Sequence, residues 1–84
     1  MKEEILRPVT SEKAVRLMEA QNTLTFIVNK ESDKRKIKKA VQDLFKVTVV
    51  KINTLNTRKN EKKVYVKLSD KDNALDIGAS LGMI

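Results

Sequence analysis

Eighty-four residues, 40% apolar and 35% charged, define one small domain in which nearly every strong apolar side chain must serve the core. The chain has no cysteine and no histidine, which excludes disulfide scaffolds and thiol chemistry, removes the commonest metal ligand and general base, and fits a reducing cytoplasmic setting. Eighteen Lys and Arg against eleven Asp and Glu leave a net charge of +7, the balance of a protein that faces a polyanion.

In chain order, Met1 to Pro8 reads as an irregular arm, because Pro8 biases Arg7 toward extended geometry. Thr10 is the expected N-cap of a first helix, with Glu12 in its favourable first turn and Ala14, Val15, Leu17 and Met18 on its apolar face, ending near Gln21 and Asn22. Thr23 to Asn29 alternates as a strand, Leu24, Phe26 and Val28 on one side and Thr25, Ile27 and Asn29 on the other. A central helix over Lys34 to Lys46 follows, capped by Ser32 or Asp33. Its apolar stripe is Ile37, Ala40, Val41, Leu44 and Phe45, and Arg35, Lys39, Gln42 and Lys46 project from the opposite face.

The β-branched run Val47 to Thr54 is a second strand, with Val50 and Ile52 on the helix-covered face and Val47, Val49, Lys51 and Asn53 on the other. Thr57 to Glu61 holds a turn, and Lys63 to Leu68 returns with Val64, Val66 and Leu68 inward. Ser69 or Asp70 is the expected cap of a last helix over Lys71 to Leu81, which Gly82 ends. No apolar run approaches the roughly 18 residues of a membrane span, and the first residues, with Glu3 and Glu4, do not read as a signal peptide. With no linker or repeat, residues 1–84 form a single domain.

Charge is not spread evenly. Lys34 to Lys67 carries twelve basic residues and two acidic ones, while the segments on either side are mildly acidic. The first turn of the central helix, Lys34 to Lys36, sets cations against the helix dipole, a local misfit that favours function over stability. The element order implies an α+β fold, a ferredoxin-like α/β plait short of its fourth strand. It has a three-stranded antiparallel sheet in the order 1-3-2, with helices packed on one face and an N-terminal helix. The other face of that sheet shows Ile27, Val49, Lys51, Tyr65 and Lys67, half apolar and half basic, which is unusual unless something covers it.

Three segments together carry a family resemblance. Pro8 to Ala14 (PVTSEKA), Asn22 to Asn29 (NTLTFIVN) and Lys34 to Thr54 (KRKIKKAVQDLFKVTVVKINT) resemble the universal large-subunit ribosomal protein number twenty-three, over nearly the whole chain. Lys46 stands where many members have glycine, and the short hairpin tip, Asn56 to Lys63, looks archaeal. The resemblance implies structural binding to large-subunit ribosomal RNA beside the peptide exit tunnel, and an exposed docking surface there. The partners it implies are the neighbouring ribosomal protein twenty-nine, the signal recognition particle, the nascent-chain-associated complex and the protein-conducting channel, with no direct membrane insertion.

The expected RNA contacts are Arg7, Lys13, Lys34, Arg35, Lys38, Arg58, Lys59, Lys62 and Lys63 to phosphates, since Lys and Arg release counterions with little base selectivity. Of these, Lys13, Lys34 and Lys38 also match family motif positions. Asn53 and Thr54 match the family's strand-end pair and are expected to reach ribose 2′-hydroxyls. Tyr65 offers a ring to a base, although plain packing also explains a lone tyrosine on a sheet. Glu19, Asp70, Asp72 and Asp76 are the candidate docking residues. No catalytic group, metal site or cofactor is expected, and acyl-phosphate hydrolysis on this fold would need an anion loop that the chain lacks. A free-standing basic RNA-binding chaperone is the alternative role, because charge alone does not choose the polyanion.

Overall fold

The computed structural model describes residues 5–57 and 61–82, with side chains from Arg7 onward. The elements run β1 (Ile5–Pro8), α1 (Glu12–Gln21), β2 (Thr23–Asn29), α2 (Lys34–Phe45), β3 (Val49–Asn56), β4 (Glu61–Leu68) and α3 (Ala74–Ser80). The four strands form one antiparallel sheet in the order β1-β2-β4-β3.

The fourth strand corrects the expectation of three. Ile5–Pro8 is not an irregular arm: it pairs with β2, Arg7 opposite Ile27 and Pro8 opposite Phe26, and Val9 N donates to Thr25 O at 3.0 Å. Proline suits this place because β1 is an edge strand, where a missing N–H costs no ladder bond, and the extended bias of Arg7 is itself a strand geometry. The inner three strands keep the expected adjacency. β2 and β3 both run antiparallel to β4, hence parallel to each other across α2. In a complete plait the strand beside β2 comes from the C-terminal end; here the N-terminal segment fills that place and covers what would be an open edge.

β3 carries the second correction. Val49 lies opposite Leu68 but Lys51 lies opposite Lys67, so β3 spends an extra residue, Val50, in a bulge. The bulge breaks strict alternation and lets Val49 (3% exposed) and Ile52 (9%) share the core face, while Val50 is 57% exposed. Strict alternation from Ile52 puts Val50 inward and Val49 outward, the reverse of what the fold does. Val47, expected on the outer side, is also buried.

The core lies between the sheet and the helices. Leu24, Phe26 and Val28 of β2, Val64, Val66 and Leu68 of β4, and Val49 and Ile52 of β3 meet Ile37 and Val41 of α2, Met18 of α1 and Ala74 of α3. Each of these side chains except Ala74 contributes roughly 1.5–3 kcal/mol by leaving water. Phe45 closes the last turn of α2 by stacking on Phe26, ring centroids 5.8 Å apart, and leaves Leu44 of the expected stripe 44% exposed. Gln42, expected to point outward, instead accepts a hydrogen bond from Val49 N at 3.0 Å and ties α2 to the start of the bulge.

Capping fixes the helix ends. Ser11 rather than Thr10 caps α1, accepting from Ala14 N, and Asp33 caps α2, accepting from Lys36 N at 2.8 Å. α3 begins later than expected, because Asn73 accepts from Leu75 N and Asp76 N. Asn22 and Lys46 end α1 and α2 in the left-handed conformation, φ +52° and +57°. Lysine has no local means to relieve that conformation, which glycine would adopt without a Cβ penalty.

Asn22 is a junction as well as a cap. Its side-chain amide donates to Ser69 O at 3.1 Å and Asp72 O at 2.9 Å, with a longer contact to Leu68 O, and its Oδ1 accepts from Ala74 N at 2.8 Å. One side chain thus joins the end of α1, the end of β4 and the start of α3.

Candidate nucleic-acid interface

The register of the sheet sorts its side chains. Leu24, Val66 and Ile52 form one row of the helix-covered face, and Phe26, Val64 and Thr54 the next. On the opposite face the rows are Thr23, Lys67 and Lys51; then Thr25, Tyr65 and Asn53; then Ile27, Lys63 and Leu55, with Arg7 beside Ile27. The expected occupants of this face are therefore present except Val49, which the bulge turns inward.

α1 borders this second face. Lys13, Leu17 and Gln21, one helical turn apart, form the wall of a groove of about 360 Å3, and Thr23, Lys51, Asn53, Tyr65 and Lys67 form the rest of its lining. A second hollow of about 220 Å3 lies between the first turns of α2 and the β3 strand. Lys34, Arg35 and Lys38 supply its charge, and Val49, Val50, Lys51 and Ile52 complete it. Lys51 lines both, so the two basic surfaces join around β3 into one band.

That band sorts the expected RNA contacts. Lys34, Arg35 and Lys38 are exposed and share the second hollow; Lys13 and Asn53 are exposed and share the groove. Asn53 and Thr54 are not a strand-end pair, because β3 continues to Asn56 and alternation sends them to opposite faces. Lys62 is half-buried, and its Nζ donates to Ser32 O at 2.8 Å, a neutral acceptor that leaves its charge and two of its N–H donors available. Lys63 is half-buried on the groove's face, one row beyond Tyr65. Arg7 pairs with Glu61 at 3.5 Å on the exposed edge, which partly offsets its charge. Arg58 and Lys59 lie outside the described residues.

Lys51 and Lys67 escaped the sequence reading as site residues, although the alternation of β3 and β4 already set them outward. The missing signal was the register that places them directly opposite each other. Of the candidate docking residues, Glu19, Asp70 and Asp72 line a hollow of about 610 Å3 at the Asn22 junction that shares Gln21 and Lys67 with the groove, and Asp76 does not. Asp72 is also structural, since its Oδ2 accepts from Thr48 N at 2.8 Å.

A small α+β domain with a lysine-rich band over its sheet and first α2 turn belongs to the class that binds a polyanion through phosphate contacts. The chain belongs to the family described as Ribosomal protein L23, whose model matches residues 3–75. Family membership makes it a structural, RNA-binding constituent of the large ribosomal subunit, acting in translation rather than as an enzyme.

Proposed function

We propose that this chain holds large-subunit ribosomal RNA beside the peptide exit tunnel through the band that runs from Lys34, Arg35 and Lys38 past Lys51 to Lys13. The observation that carries this reading is the continuity of the two hollows through Lys51, which turns two clusters into one surface. The first turn of α2 sets Lys34, Arg35 and Lys36 against the single capping carboxylate of Asp33, so it keeps a net positive charge for a phosphate. Lys62 and Lys63 extend the contact along β4, Arg58 and Lys59 add further phosphate contacts, and Arg7 contributes once an RNA phosphate competes with Glu61. The surface away from the RNA serves as part of the tunnel-exit dock, against ribosomal protein twenty-nine, the signal recognition particle, the nascent-chain-associated complex and the protein-conducting channel. The resemblance of the chain to its family supports that half.

The test is co-sedimentation of the tagged chain with separated ribosomal subunits through a high-salt gradient. About one copy travelling with the large subunit and resisting the wash is the expected result. Retention at the top of the gradient, with RNA still bound at low salt, would favour the chaperone role instead. Within the RNA reading, Arg58→Ala and Lys34→Ala each lower the slope of log affinity against log salt by about one unit, while Lys71→Ala, beyond the band, leaves it unchanged.

A further inference from the structure

Lys51 and Lys67 sit directly opposite each other on adjacent strands, a like-charge pair that destabilises a sheet. Lys13 lines the same groove, and none of the three forms an ion pair among the described residues. The next row on the same face, about 7 Å along the strands, holds Tyr65 and Asn53 side by side. The Asn53 and Gln21 amides make no hydrogen bond within the protein among the described residues. The groove therefore has uncompensated cations toward both ends, Lys51 and Lys67 in the row beside Gln21 and Lys13 two helical turns, about 12 Å, back along α1, with an aromatic ring on its floor and free amides along its side.

We infer that this groove receives one unpaired nucleotide of RNA, its base stacked on Tyr65 and its flanking phosphates held by Lys51, Lys67 and Lys13. Duplex RNA hides its base faces in the stack, so it can satisfy the lysines but not the ring; a lone phosphate does the same. A single-stranded segment supplies both, since a stacked base carries its phosphate to the next row of the sheet. Asn53 and Gln21 then have a base edge or a ribose hydroxyl to bond. The inference rests on the RNA-binding reading above and narrows it to a strand form and a site.

Tyr65 is the only tyrosine and the chain has no tryptophan, so intrinsic emission reports on this ring alone. The experiment titrates the full chain at low salt with a ten-nucleotide oligouridylate, with an RNA duplex of equal length, and with inorganic phosphate. Stacking predicts saturable quenching by the single strand and little by the other two. Tyr65→Phe should retain affinity for the single strand, and Tyr65→Leu should weaken it by about tenfold or more. Lys67→Gln serves as the second variant: it should raise the melting temperature by relieving the like-charge pair while weakening the single strand, an opposition that loss of folding cannot produce. Single-strand binding without quenching, or equal quenching by duplex or phosphate, would overturn the inference and leave RNA binding intact. No binding to any RNA, ribosomal RNA included, would instead remove the reading beneath it.

Discussion

Replacing Asn22 tests the junction that holds three elements together. Asn22→Gly keeps the left-handed φ of +52° but removes the amide bonds to Ser69 O and Asp72 O and the acceptor for Ala74 N. Three bonds at roughly 0.5–1.5 kcal/mol each, discounted because the site is only half-buried, place the loss at about 2–3 kcal/mol. For a domain of this length that lowers the melting temperature by about 10–20 °C. Asn22→Ala adds the cost of a left-handed alanine, about 1 kcal/mol more. Asn22→Asp retains the acceptor for Ala74 N but turns an oxygen toward the main-chain carbonyls, so it should resemble Asn22→Ala. Urea unfolding with unchanged m-values reads these differences. If Asn22→Gly stays within 0.5 kcal/mol of the parent, or Asn22→Asp matches it, the side-chain bonds are not what joins α1, β4 and α3.

Lys46→Gly should stabilise the fold by about 0.5–1 kcal/mol in the same assay, because glycine adopts φ +57° without a Cβ penalty; a loss would show that the lysine stem packs usefully. Val49→Ala should cost about 1–3 kcal/mol and Val50→Ala less than about 0.5, the order the bulge dictates; the opposite order would restore strict alternation in β3. Gln42→Ala should cost about 1–2 kcal/mol by orphaning Val49 N, whereas Lys39→Ala, on the exposed side of α2, should be nearly silent in chemical denaturation.

Where one local rule sufficed, the elements were legible. Thr23–Asn29 forms the strand that alternation indicates, and α2 starts at Lys34 behind the cap of Asp33, both set by contacts within a few residues. The family, too, was readable from three ordered segments, and the match over residues 3–75 bears it out. Legibility failed where a distant partner decides. Ile5–Pro8 has too few residues to show a period, and only the open edge of β2 makes it a strand. The phase of β3 failed for the same reason, since a bulge is a property of two strands and one strand's sequence shows only alternation.

The candidate site divides along the same line. The concentration of basic residues between Lys34 and Lys67 fixes the sign and approximate strength of the field, because charge is a sum over residue types. What each cation meets is a matter of contacts between elements: Lys62 bonds Ser32 O and Arg7 meets Glu61, while Lys13, Lys51 and Lys67 line one groove with Tyr65. Residue types and their order were enough to read a basic member of this family with a helix-covered apolar core. The tertiary structure alone decided how its sheet is closed and which side chains meet across it, because register sets those distances and no single strand's sequence encodes its register.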